Sequence, residues 1–265
     1  MTTTETRPLA LVTGASSGIG YELAREFAEN GYDLIINAEE DIDEAAARLR
    51  DTGAQVAPVR IDLRDEDAVD RLRDAVRATG KPLAAAALNA GVGQGGPFVE
   101  NDLAAEQEII DVNITSTVRL AKDVLRDMVA RNEGKVLITS SVASTQPGSF
   151  QAVYNASKSF LQSFAEAVQE ELKDTDVTVT SLMPGPTETN FFRRAGMDDT
   201  RVGSSKKDDP AAVAKQGYAA LAKGKAKQVA SSLSTKVMTA ASSVLPDRLK
   251  AKGHRKMAEP GSGSR

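Results

Sequence analysis

A tyrosine and a lysine stand four residues apart in Tyr154-Asn155-Ala156-Ser157-Lys158, a spacing that puts both on one face of a helix. A phenol of ordinary pKa, about 10, keeps its proton at neutral pH, and an ammonium beside it stabilises the phenolate. Such a pair can take a proton from a hydroxyl or return one to a carbonyl oxygen. A second stretch, Thr13-Gly14-Ala15-Ser16-Ser17-Gly18-Ile19-Gly20, follows an apolar run and leads into an amphipathic pattern. Its glycines let the backbone approach a pyrophosphate, while the start of the following helix offers free N–H groups and the positive end of its dipole. The spacing is not G-x-G-x-x-G and no G-K-[ST] follows, so neither of those phosphate-binding fingerprints applies; a plain helix-initiating turn is the alternative.

The inventory removes other chemistries. There is no cysteine and a single histidine, His254, so disulfides, thiolate catalysis and a Cys/His zinc site are excluded, and no metal site is expected. Ser141 lacks a G-x-S-x-G elbow and the histidine lies near the C-terminus, which argues against a serine hydrolase. The 33 basic and 37 acidic side chains are interspersed, giving a net charge of −4 and no sustained positive field for nucleic acid. Met1–Pro8 is polar, and no stretch approaches the roughly 20 apolar residues of a membrane span, so a cytoplasmic protein is expected.

These groups need elements to position them. Apolar runs of strand length recur at Leu9–Thr13, Asp33–Asn37, Gln55–Ile61, Leu83–Leu88, Lys135–Ser140 and Val177–Met183. They are nearly continuous, as parallel strands buried on both faces require. Helical patterns lie between them at Ile19–Asn30, Asp41–Thr52, Glu66–Thr79, Leu103–Arg131 and Ala152–Lys173. The alternation predicts one α/β domain over residues 1–252, a doubly wound Rossmann-type sandwich with six parallel strands. A seventh strand is expected at Lys227–Ala230, after a helix with Asp209 as N-cap and Pro210 at its first position. Asn190–Asp209 is too long for an ordinary connection and reads as a lid or as disorder. Leu233–Leu245 is amphipathic and reads as a helix closing a pocket or packing between subunits, with attachment to a membrane surface as the alternative. Gly253–Arg265, rich in Gly, Ser and charge, reads as a loose tail.

From about Leu9 to Thr189 the motifs resemble, in order and spacing, those of the short-chain dehydrogenase/reductase family. The resemblance implies hydride transfer between a nicotinamide dinucleotide and a small carbonyl or secondary alcohol. It assigns Gly14, Ser16, Ser17, Gly18, Ile19 and Gly20 to the dinucleotide turn, Asp62 and Leu63 to the adenine, and Ala38 and Glu39 to the adenosine ribose. Asn89-Ala90-Gly91 matches the family's N-A-G signature, and Asn113 corresponds to an asparagine that holds a water on the lysine. Ser141, thirteen residues before Tyr154, would fix the substrate oxygen, with Ser140 its only rival. Tyr154 and Lys158 would supply the acid and base and also contact the cofactor. Pro184-Gly185 resembles the family's P-G turn, with Thr189 reaching the carboxamide and Thr187 in reserve; Pro186 departs from the usual apolar residue.

Glu39 and Glu40 end the second strand where an arginine would accept a 2′-phosphate, and Ser17 stands where NADP-preferring relatives often carry a basic residue. NAD(H) is therefore expected over NADP(H), the alternative being that the two glutamates merely begin a helix capped by Asp41. Pocket walls are expected from Phe191, Phe192, Ala195, Gly196, Met197, Val142, Ala143, Phe150 and the neighbourhood of Val92. These suit a partly apolar substrate, although Arg193 and Arg194 could receive an acidic group. The resemblance also implies a homodimer or tetramer joined by the helices of 103–131 and 152–173. Two rivals remain: a dinucleotide-binding regulatory protein without turnover, and a non-redox epimerase or dehydratase on the same scaffold.

Overall fold

A computed structural model of the chain describes residues 7–230 and 246–264. The six expected strands form as β1 (Leu9–Thr13), β2 (Asp33–Ala38), β3 (Val56–Arg60), β4 (Leu83–Leu88), β5 (Gly134–Thr139) and β6 (Val177–Pro184), and Lys227–Ala230 adds β7. All pair in parallel in the order β3-β2-β1-β4-β5-β6-β7. The chain winds outward from β1 to β3, then restarts at β4 on the other side of β1. This reversal opens a crevice at the carboxyl ends of the strands, where open α/β sheets bind ligands.

Helices cover both faces, and the core divides accordingly. On one side α1 (Gly18–Glu29), α2 (Asp43–Arg50) and α9 (Pro210–Ala222) bury Ala24, Phe27, Leu49, Val213 and Leu221 against the sheet. On the other, α3 (Ala68–Ala78), α5 (Ser116–Arg131) and α6 (Ala152–Glu171) bury Leu72, Leu120, Met128 and Leu161. The α5 stripe Leu120, Ala121, Val124, Leu125, Met128 repeats at helical spacing, and burying each large member contributes about 1.5–3 kcal/mol. Asp209 caps α9 as expected, accepting from the backbone N–H groups of Ala211 and Ala212, with Pro210 in the first turn.

Two parts differ from the sequence expectation, and a third takes one of the two forms left open for it. Leu103–Arg131 is not one uniform helix: α4 (Leu103–Ile109) passes through a π-helical turn, Ile110–Thr115, before α5 begins. Asn113 sits in that wide turn, fully buried, where its amide bonds outside the helix. Asn190–Asp209 is an ordered cover containing two short helices, α7 (Phe191–Arg194) and α8 (Arg201–Ser204). Its ends are tied by Asp208 N–H donating to Pro186 O at 2.8 Å and Glu188 N–H donating to Asp208 O at 2.9 Å.

The other difference is at the C-terminus. Gly253–Arg265, expected as a loose tail, instead supplies the second half of the C-terminal helix Asp247–Ala258 and a 3-10 turn at Ser262–Ser264. The turn is docked on the cover: Gly263 N–H donates to Asp199 O at 2.8 Å and Arg201 N–H to Ser262 Oγ at 2.9 Å. Hydrogen bonds to the backbone of the cover hold a segment whose composition alone reads as loose. Leu233–Leu245 lies outside the described residues. No helix among the described residues is long and apolar enough to cross a membrane, and none of these residues cluster as a metal site.

Candidate active site

A cavity of about 560 Å³ opens at the carboxyl ends of the strands. It is bordered by every catalytic and cofactor-binding residue expected from the sequence except Asn113, which lies directly behind it. The glycine turn between β1 and α1 forms one wall. Gly14 and Gly18 have φ of +66° and +58°, a region that side chains with a Cβ rarely adopt. A Cβ on Gly14 would stand 2.9 Å from Ala90 Cα, and one on Gly20 would collide with the Gly14 carbonyl oxygen. The turn is thus pressed against the end of β4 with no room for side chains. Asn89 fixes this junction: its amide nitrogen donates to Thr13 O at 3.2 Å and its Oδ1 accepts from the Thr139 hydroxyl at 3.1 Å. Thr13 Oγ1 in turn accepts from Asn89 N–H and Ala90 N–H. The ends of β1, β4 and β5 are therefore cross-linked by partly buried hydrogen bonds.

The first turns of α6 bring Tyr154 and Lys158 into the cavity, with Lys158 Nζ 5.9 Å from the centre of the tyrosine ring. Ser141, at the end of β5, faces the phenol and hydrogen-bonds to it. Ser140 bonds instead to the backbone carbonyl of Lys158 at 2.9 Å, so the two neighbouring serines point to different tasks. Lys158 Nζ donates to Thr139 O at 3.0 Å. Asn113 Nδ2 donates to Val92 O and to Ser157 Oγ, both at 3.0 Å, and its Oδ1 accepts from Val92 N–H at 2.9 Å. The π-helical turn is thereby clamped to the loop after β4 and to α6. A Cβ on Gly91 would lie 3.2 Å from both Asn113 Oδ1 and Lys158 Nζ, so the glycine lets these groups converge.

Burial dominates the electrostatics. It pushes the Tyr154 phenol up to about 12, with the Ser141 hydrogen bond opposing, and brings the Lys158 ammonium down to about 8. The phenol is therefore a proton donor at neutral pH until a further positive charge enters the site.

At the other end Glu39 and Asp62 are bridged by Arg64, whose guanidinium lies 3.1 Å from Glu39 Oε1, 2.6 Å from Asp62 Oδ2 and 3.2 Å from Glu108 Oε1. The sequence reading did not single out this arginine, although its place two residues after Asp62 could have signalled it. The bonds to Arg64 hold the Asp62 carboxyl below its ordinary value. Glu40 pairs with Arg194 of α7 at 2.9 Å, spanning the mouth of the cavity. Thr189 packs against Gly18, while the Thr187 hydroxyl donates to Gly185 O at 2.8 Å.

Of the expected walls, Val92, Val142, Ala143, Phe191 and Phe192 border the cavity. Phe191 lies 5.1 Å from the Tyr154 ring, in space left by Gly93, whose Cβ would come within 2.5 Å of it. Ala195, Met197 and Phe150 do not border it; they pack with Phe192 and Ala258 and hold the cover down, and Gly196 also lies away from the cavity. The C-terminal helix contributes lining residues the sequence reading missed, Leu249, Lys250, Gly253, His254 and Met257.

Comparison with known proteins decides the family. Residues 8–199 match the family model for short chain dehydrogenase. The chain belongs to the short-chain dehydrogenase family. Among relatives, it is 31% identical over 186 residues to a short chain dehydrogenase of Pseudocercospora fijiensis, covering 69% of this chain and 60% of that protein. It is 34% identical to sulfoacetaldehyde reductase 2 of Chromohalobacter salexigens, covering 69% of this chain and 74% of that protein. A short-chain dehydrogenase from Sphingobium yanoikuyae in complex with NADPH superposes with a TM-score of 0.77 at 27% identity, covering 88% of this chain and 93% of that one. A short-chain dehydrogenase/reductase from Burkholderia phymatum in complex with NAD gives 0.78 at 25%, covering 88% and 92%. The fold of this family member is accordingly a seven-stranded Rossmann-type sheet, and a nicotinamide dinucleotide is the cofactor its structural neighbours carry.

Proposed function

We propose that this short-chain dehydrogenase interconverts a carbonyl compound and the corresponding secondary alcohol, with Ser141, Tyr154, Lys158 and Asn113 as its working residues. The observation that carries the reading is the convergence of a buried phenol, a buried ammonium and a serine hydroxyl at the floor of a cavity whose far wall is a glycine cradle. The cradle fits a dinucleotide: Gly14, Gly18 and Gly20 leave no room for side chains, and the start of α1 faces the cavity. Gly14–Gly20 would hold the pyrophosphate, Ala38, Glu39, Asp62 and Leu63 the adenosine, and Asn89–Gly91, Pro184, Gly185 and Thr189 the nicotinamide half. Bound there, the nicotinamide supplies or accepts the hydride.

The chain's own groups handle the proton. The Ser141 hydroxyl donates a hydrogen bond to the substrate oxygen and holds it beside Tyr154. In reduction the phenol gives its proton to that oxygen; in oxidation the phenolate removes the hydroxyl proton. Lys158 favours the phenolate by its charge, and Asn113 positions α6 against the loop after β4. The carboxylates Glu39, Asp62 and Glu108 outnumber Arg64 at the adenosine end, which supports NAD(H) over NADP(H). The apolar walls support a partly apolar substrate. Exposed Phe98, Val99 and Leu103 beside α4, with Phe160 on α6, support a homo-oligomer assembled through these helices. The interspersed charge supports a cytoplasmic enzyme without a nucleic-acid partner.

The test follows nicotinamide absorbance with NAD(H) and NADP(H) across aliphatic, cyclic and aromatic ketones and alcohols. Turnover is expected, faster with NAD(H). Because the phenol must be protonated to reduce and ionised to oxidise, reduction falls and oxidation rises as pH increases from neutral. Dinucleotide binding without turnover of any carbonyl or alcohol contradicts the proposal and favours a regulatory role.

A further inference from the structure

The C-terminal helix presents to the cavity a side chain that the reaction above does not use. Leu249, Lys250, Gly253, His254 and Met257 form one helical stripe, and all five border the cavity. His254 Nδ1 lies 2.9 Å from the backbone carbonyl of Ser149, and the Ser149 hydroxyl donates to Ala251 O at 3.0 Å. These reciprocal bonds fasten the ring and its helix to the loop before α6. A carbonyl oxygen only accepts, so Nδ1 carries the hydrogen and the neutral ring keeps a bare lone pair on Nε2. Burial disfavours the imidazolium and lowers the ring's pKa, against a weaker opposing effect of the Ser149 bond. Among the described residues no hydrogen bond to Nε2 forms; Lys250, one turn earlier on the same stripe, also borders the cavity, its ammonium held 3.1 Å from Asp247 Oδ1. A bare acceptor in a cavity wall discriminates strongly, because a ligand lacking the matching donor leaves it desolvated and unpaired.

We propose that His254 is a specificity-determining residue whose Nε2 accepts a hydrogen bond from a second hydroxyl or N–H on the substrate, away from the reacting carbon. The substrate class is thus a hydroxy ketone, or the matching diol, on an otherwise apolar skeleton. The inference rests on the oxidoreductase reading above. A methyl ether at the same position sets lone pair against lone pair and is disfavoured.

The test uses the full chain with its preferred dinucleotide and a series of cyclic and linear ketones, each in three forms: with a distal hydroxyl, with that hydroxyl methylated, and unsubstituted. For at least one skeleton, kcat/KM is expected to favour the hydroxy ketone over its ether by about tenfold, mainly through KM. His254→Phe brings that ratio close to one, while His254→Gln, which restores a side-chain acceptor, keeps part of it; melting curves confirm that both variants fold. A purely structural role for the ring would lower all three forms together and leave the ratio intact, and that result overturns the inference. Equal rates for hydroxy ketone and ether with the unaltered enzyme across the series overturn it as well, while leaving the oxidoreductase reading standing. Absence of turnover with every ketone overturns both.

Discussion

Asn89, in the floor of the cleft, ties three strand ends together through partly buried bonds to Thr13 and Thr139, whereas Arg194, in the cover, meets Glu40 in one solvent-exposed pair. The floor is made of strand termini and the first turns of α1 and α6, and Asn89, Thr13, Thr139 and Lys158 in it bond to one another or to the strand ends. The cover, 190–209 with the C-terminal helix, is made of short helices, a small cluster around Phe192 and Met197, and backbone bonds to Asp199. In the proposed function, chemistry that needs atoms held in place is set in the floor. The same proposal leaves selection among substrates to the cover, where side chains can change without disturbing the sheet.

Three substitutions sharpen this contrast. The largest effect belongs to the floor: Lys158→Met lowers kcat/KM by about a hundredfold or more, since the phenolate loses its cation. The same change raises the melting temperature at neutral pH. The folded-state pKa of Lys158 is lowered to about 8 by burial, so its charged form is disfavoured by folding below that pH and an apolar replacement relieves the cost. Calorimetry beside kinetics checks both halves; a lower melting temperature would show that the ammonium stabilises the fold. An intermediate effect is expected at the adenosine end, where Glu39→Ala frees Arg64 from one of its carboxylates. The ratio of kcat/KM for NADPH to that for NADH should rise by about tenfold. The smallest belongs to the cover: Arg194→Ala removes an exposed pair and changes the KM for dinucleotide by less than about fivefold, a difference that disappears in high salt.

What the sequence shows follows the same divide. The buried strands and the residues at their ends are legible because burial on both faces imposes continuous apolar runs, and because a glycine cradle and a tyrosine–lysine pair leave little choice of residue type. Even the π-helical turn at Asn113 leaves a trace, an asparagine in a helical pattern, though not its geometry. In the cover the signals fail. Ala195, Met197 and Phe150 are as apolar as Phe191, and nothing in their order tells which face the cavity and which pack beneath Phe192. The Gly- and Ser-rich stretch 253–264 reads as loose because its order comes from partners far along the chain, the Asp199 carbonyl, the Arg201 N–H on Ser262 Oγ and the Ser149 carbonyl beside His254. Arg64 was hidden for a related reason: its partners Glu39 and Glu108 are brought to it only by the folded sheet.

The central claim is that Tyr154 transfers the proton in a redox reaction, and Tyr154→Phe tests it most directly. The substitution removes one oxygen from a buried ring and leaves the cradle untouched. Dinucleotide affinity, measured by fluorescence titration, is expected to stay within about threefold, while turnover followed by nicotinamide absorbance falls by about a thousandfold. A variant that binds the dinucleotide and still turns over at a rate near that of the unaltered enzyme would contradict the account.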